Sequence, residues 1–308
     1  MAIWDRRLLV VTGKGGVGKT TVCAALALAA ARKGKRVLIC ETQGAERIPS
    51  LFGQRPHGYQ VAVAAPGISS FSITSEASIE DYLLKVLHFK RLYQMVFRNR
   101  VMGPFIDAVP GLHDLIQLGK IMDLERTPGY PVDLYIVDAP ATGHGVAMLT
   151  APRTMMDLTR RGPFHDNARL VADVVEDPQK TALLLVSTPE EMPVNETLDL
   201  YGRLGKLRSQ VAGVLLNEVH PPPVSDPALL RTCLPTLRQE ENNSALLDLA
   251  EQLQRRQERQ ETARSRLATL PAPRWELPFL YHRNLGVSDL EKLASAILSA
   301  QNTPGVVR

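Results

Sequence analysis

The 308-residue chain is 44% apolar and 22% charged, the balance of a globular protein with a sizeable core rather than of a disordered one. Its 36 basic and 32 acidic residues leave a net charge of +4, and the basic residues are dispersed among acidic neighbours. That argues against a nucleic-acid partner, which asks for a clustered basic stripe. No run reaches the ~20 apolar residues of a membrane-spanning helix, and the N-terminus does not read as a secretory signal. The cysteines, Cys23, Cys40 and Cys233, form no CxxC pair for zinc or an iron–sulfur cluster. A cytoplasmic protein with free, buried thiols is expected.

In chain order, short apolar runs alternate with helical patterns, the rhythm of a mostly parallel sheet flanked by helices. The run RLLVV leads into a glycine-rich loop, and an alanine-rich helix follows from Thr20 to about Lys33, stopped by Gly34. Further buried-strand patterns end at Cys40 (RVLIC), Asp138 (DLYIVD), Ser187 (TALLLVS) and Asn217 (VAGVLLN). Polar or glycine residues follow each of these ends, at the edge where open α/β sheets bind ligands. Two stretches break the rhythm: a helical insertion at about 78–125 and a charged helical region at about 228–270. A last helix is expected near Ser288 to Gln301. With no internal repeat and no long linker, residues 1–308 read as a single α/β domain with helical insertions.

The loop Gly13-Lys14-Gly15-Gly16-Val17-Gly18-Lys19-Thr20 satisfies G-x-x-x-x-G-K-[ST] between a predicted strand and a predicted helix. Its glycines let backbone N–H groups turn inward around phosphate oxygens, and the helix N-terminus adds positive potential. Lys19 is placed to neutralise the β- and γ-phosphates of ATP, Thr20 to ligate Mg²⁺ and Thr21 to bond the α-phosphate. Lys14 is one lysine more than this chemistry requires.

The string GKGGVGKTT resembles the deviant P-loop ATPases, among them the arsenical-pump-driving and tail-anchored-protein targeting ATPases, MinD, ParA and the nitrogenase iron protein. The resemblance implies a homodimer in which Lys14 reaches the partner's nucleotide, supplying in trans the charge of an arginine finger. It narrows at VDAPATGHGVAMLTAP, which is similar to the second switch of the arsenical-pump and tail-anchor ATPases. There Asp138 would hold the Mg²⁺ ion, through water, and the turn from Ala139 to His144 would sense the γ-phosphate. VPGLHDLIQLGKIMDLE resembles a further family segment, and by resemblance Asn217 pairs with adenine while Pro278, in LPFL, lies beside the base.

One stretch departs from the family pattern. Where its members carry STDPAH, with the aspartate positioning the attacking water, this chain has ETQGAE, so that Gln43 falls on the aspartate. Three readings stand: Gln43 orients water in a slow ATPase, Glu41 takes the role, or hydrolysis is largely lost. No cysteine falls where the arsenical pump binds metalloid or where eukaryotic tail-anchor ATPases clamp their dimer, so arsenite chemistry and a zinc-linked dimer are not expected.

The insertion carries Leu83, Leu84, Leu87, Phe89, Tyr93, Met95, Phe97, Met102 and Phe105, more apolar residues than one helical face holds. They fit either a core or a groove for a hydrophobic client. The resulting expectation is a Mg·ATP-dependent ATPase of this family that binds or releases a cargo or partner protein. The alternative is a ParA- or MinD-like positioning ATPase acting on DNA or a membrane surface. For it the last helix has too few basic residues to grip a membrane, and QLQRRQERQETARSRL interleaves its arginines with glutamates.

Overall fold

A computed structural model of the chain describes residues 3–42, 46–74, 77–81, 111–126, 131–222, 232, 234–235 and 244–302. Eight strands form one sheet in the order β3-β4-β2-β5-β1-β6-β7-β8. They are β1 (Leu8–Gly13), β2 (Val37–Glu41), β3 (Ala62–Ala65), β4 (Ile68–Ser72), β5 (Leu134–Ala141), β6 (Thr181–Ser187), β7 (Val211–Val219) and β8 (Arg274–Pro278). All pairings are parallel except that of β3 with β4, at one edge. The predicted α/β sheet is therefore present.

Strand alternation sends successive side chains to opposite faces, and each face has its own core. Leu8, Val10, Tyr135, Val137, Leu183 and Leu185 pack on one side, against α3 (Leu112–Arg126), α4 (Thr142–Leu158), α5 (Pro163–Val175), α6 (Glu191–Arg203) and α7 (Ser244–Leu267). Leu9, Val11, Ile136, Leu184 and Val186 pack on the other, against α1 (Lys19–Arg32) and α8 (Val287–Asn302). This explains why the central strands read as unbroken apolar runs. At ~25 cal/mol per Å² of apolar surface removed from water, each fully buried leucine or isoleucine contributes about 2 kcal/mol.

Helix α1 is lined with alanine because it is wedged between the sheet and α8, where larger side chains would hold the layers apart. Val22, Cys23, Ala24, Ala25, Leu26 and Ala27 are all buried. Its end is closed by Gly34 at φ +80°, with Gly34 N–H donating to Ala31 O and Lys35 N–H to Ala30 O.

Several predicted boundaries change. The expected turn from Ala139 to His144 is the end of β5 running directly into α4. Strands β4 and β8 carry no apolar run: ISSFS and RWELP are half polar, and pairing with neighbours makes them strands. Of the helical insertion, residues 77–81 and α3 are described and helical, and of the late region α7 is a 24-residue helix. The apolar residues from Leu83 to Phe105, Gln43 and Cys233 lie outside the described residues. No described helix is long and apolar enough to cross a membrane.

Candidate nucleotide site

β1 lies at the centre of the sheet, with β5 on one side and β6 on the other, so the loop leaving Gly13 opens over the crevice at the strands' C-terminal edge. The loop passes the exposed Gly15 and Gly16 and the buried Val17 before α1 begins at Lys19, with Thr21 in its first turn. Gly18 caps the helix in the left-handed region, φ +85°, and a Cβ there would stand 2.4 Å from Asn217 Nδ2. Conformation and space thus both call for glycine. Asn217 itself, near the end of β7, is buried and donates from Nδ2 to Val17 O at 2.9 Å, bracing the loop from a strand two places along the sheet.

Three predicted residues converge beneath the loop: Lys19, Thr20 and Asp138. Lys19 Nζ donates to Gly13 O at 3.2 Å and to Lys14 O at 3.1 Å, so the loop curls around its own ammonium. Burial lowers the lysine's pKa, and the nearby Asp138 carboxylate opposes the shift. Thr20 Oγ1 donates to Asp138 Oδ2 at 2.6 Å. Burial also raises the pKa of Asp138, against the pull of the Thr20 bond and Lys19. A hydroxyl and a carboxylate oxygen at this separation are all-oxygen donors of the kind that suits a hard divalent cation such as Mg²⁺.

Glu41, the last residue of β2, stands in register with Asp138 on β5. Its Oε1 accepts from the backbone N–H groups of Arg47 (2.7 Å) and Ile48 (3.1 Å), at the start of the short helix α2 (Ile48–Leu51). Burial raises its pKa to about 7, outweighing those two hydrogen bonds. Lys14, at the start of the loop, forms an ion pair with Glu196 of α6 at 3.0 Å. Pro278 ends β8 in register with Val219 of β7, so Asn217 and Pro278 lie on neighbouring strands at the same edge.

Three features beside these residues escaped sequence reasoning. Thr42 Oγ1 donates to Asp138 O at 2.7 Å and ties the exit of β2 to β5. His220, Phe279 and Tyr281 form an aromatic cluster past β7 and β8, His220 stacking on Phe279 with ring centroids 4.3 Å apart. Gln260 of α7 clasps His220, accepting its N–H at 2.6 Å and donating to its carbonyl at 3.0 Å. Each joins residues remote in sequence, and only an aromatic residue just past each strand end hinted at the cluster. Glu196 had no signal at all.

A glycine loop on a central strand, a helix N-terminus behind it, and a lysine, threonine and aspartate gathered beneath define a P-loop nucleotide-binding protein. The family model of the anion-transporting (ArsA) ATPases matches residues 6–162 and 161–297, and the chain belongs to that family. It is 35% identical over 229 residues to the ATPase BagA of Mycobacterium tuberculosis, covering 68% of this chain and 64% of that relative's length. The match thus spans a little under two thirds of the mycobacterial protein. ATPase ASNA1 homologues resemble it as well: one of Paramecium tetraurelia at 23% identity, covering 68% of this chain and 75% of that protein, and one of Entamoeba dispar at 26%, covering 68% and 76%.

Proposed function

We propose that this chain is a Mg·ATP hydrolase, a single nucleotide-binding domain that acts as a homodimer and couples its cycle to binding and release of a cargo or partner protein. The observation that carries the reading is the convergence of Lys19, Thr20 and Asp138 under the glycine loop, with Lys14 at its edge. When bound, Mg²⁺ would supply charge neutralisation at the β- and γ-phosphates, held by Thr20 and, through water, Asp138. Lys19 gives up the two carbonyls it holds and turns its charge to phosphate. The loop N–H groups bind the remaining oxygens, and Asn217 and Pro278 flank the base.

Lys14 serves the partner's nucleotide. Its ion pair with Glu196 is no obstacle: the side chains are 26% and 31% exposed, and a pair of that kind is worth about 1 kcal/mol or less. A cation completing a phosphoryl-transfer site in trans contributes about 10³-fold or more to the rate, and breaking so weak a pair takes little from that gain.

The test is ATP turnover per chain as protein concentration rises, with and without Lys14→Ala. Specific activity should climb with concentration and fall at least about 10²-fold in the variant. Activity that is flat and retained without Lys14 would refute the dimeric site, and none at any concentration would refute the hydrolase. For the cargo, capture by ATP-trapped protein is compared with capture by the ADP-bound form; recovery of DNA-partition or membrane-positioning proteins would favour the other branch of these ATPases.

A further inference from the structure

Glu41 occupies a place where the family pattern has a small hydroxyl residue, and its surroundings give it an anchoring task. Its side chain is 3% exposed, with a fixed direction. Oε1 takes two hydrogen bonds, from Arg47 N–H and Ile48 N–H. These are the donors at the cap and first position of α2, groups that a helix start leaves unpaired, and Arg47 offers no side-chain cap of its own. A carboxyl oxygen that accepts from two N–H groups satisfies both donors in either protonation state and anchors the helix start.

The remaining contacts point the same way. Ile73 N–H donates to Glu41 O at 2.8 Å, fixing the glutamate's own backbone on the β4 side, and Thr42 is tied to β5 through the carbonyl of Asp138. Thr42 is thus held by the sheet, and Arg47 and Ile48 by the carboxyl of Glu41. A general base needs an oxygen in reach of the water's proton. Oε1 is committed to two amides, while Oε2 is buried and has no hydrogen-bond partner among the described residues, so the variant that keeps Oε1 and removes the ionisable group separates anchoring from proton transfer.

We infer that Glu41 is a positioning residue for the start of α2, anchoring Arg47 and Ile48 to the end of β2 beside Asp138 and acting in turnover through these two hydrogen bonds. The inference rests on the hydrolase reading above for its kinetic consequence and on geometry alone for its structural one.

The test uses the full-length protein with Glu41→Gln and Glu41→Ala. Amide hydrogen exchange at Arg47 and Ile48 is measured first, without nucleotide. Glutamine keeps a carbonyl oxygen for the two amides, so protection should stay within about 3-fold of wild type, whereas alanine should speed exchange about 10-fold or more. Steady-state turnover is measured next. Glu41→Ala should lower kcat about 10-fold or more with KM for ATP little changed, since releasing the start of α2 from its place beside Asp138 costs rate while the phosphate loop stays intact. Glu41→Gln should recover most of that loss with the wild-type pH profile. Turnover as poor in Glu41→Gln as in Glu41→Ala, with both amides still protected, would make the carboxylate a chemical participant and overturn the inference. Unchanged exchange in Glu41→Ala would overturn it as well. If wild type hydrolyses no ATP, the hydrolase reading fails by itself, and the exchange data still decide the role of Glu41.

Discussion

At the scale of single residues, the site sets buried charges against one another. Asp138 and Lys19 are both desolvated, and each lessens the other's shift. Asp138→Asn keeps the size and an oxygen for the Thr20 hydroxyl but removes the charge. It should leave ATP binding within a few-fold of wild type and cut turnover by about 10²-fold; full turnover in the variant would remove Asp138 from the chemistry. Glu41 yields a pH prediction. Its folded pKa is about 7 against an ordinary 4.5, so the folded protein holds a proton that the unfolded chain has released. Its stabilising contribution is then fully present below pH 4.5 and is lost as pH rises through 7. Glu41→Gln cannot ionise, so its melting temperature without nucleotide should depend less on pH across that interval. Parallel curves for the two proteins would sink the assignment.

At the scale of elements, the start of α4 is seated directly on β1. A Cβ on Gly145 would lie 2.5 Å from Thr12 Oγ1 and 3.0 Å from Pro140 O, and the threonine is fully buried. Gly145→Ala must push the first turn of α4 off the strand, at a cost of about 1–3 kcal/mol for overpacking. A denaturant midpoint equal to that of wild type would mean that the helix start slides freely. Asn217 is predicted by resemblance to meet adenine, and it also donates to Val17 O. Asn217→Ala should therefore both weaken ATP binding and lower stability, the latter by about 1–3 kcal/mol for the lost bond and its stranded partner. A loss confined to binding would dismiss the brace.

At the scale of the whole molecule, two cores on either side of one sheet carry a single nucleotide edge, and the proposed partner subunit completes it. Glu196 holds Lys14 within the chain, so Glu196→Gln frees the lysine without touching the glycine loop. Because the pair is a surface one, the expected gain is small, a shift of the dimerisation midpoint in sedimentation by no more than about 5-fold. A weaker dimer would instead place Glu196 itself in the interface.

Much of this molecule was legible in order along the chain. Buried strands must be apolar on both faces, so β1, β2, β5, β6 and β7 announced themselves, and a phosphate cradle needs glycines and a lysine at fixed spacing, so Gly13 to Thr20 did too. The sequence by itself determined the central strands of the sheet and the glycine loop between β1 and α1. Tertiary structure alone decided that polar segments such as ISSFS and RWELP become strands, because hydrogen-bonding neighbours supply what periodicity lacks. It alone paired Lys14 with Glu196, Thr20 with Asp138 and Glu41 with the start of α2, since hydrogen bonds and ion pairs act through space and leave no period in the sequence.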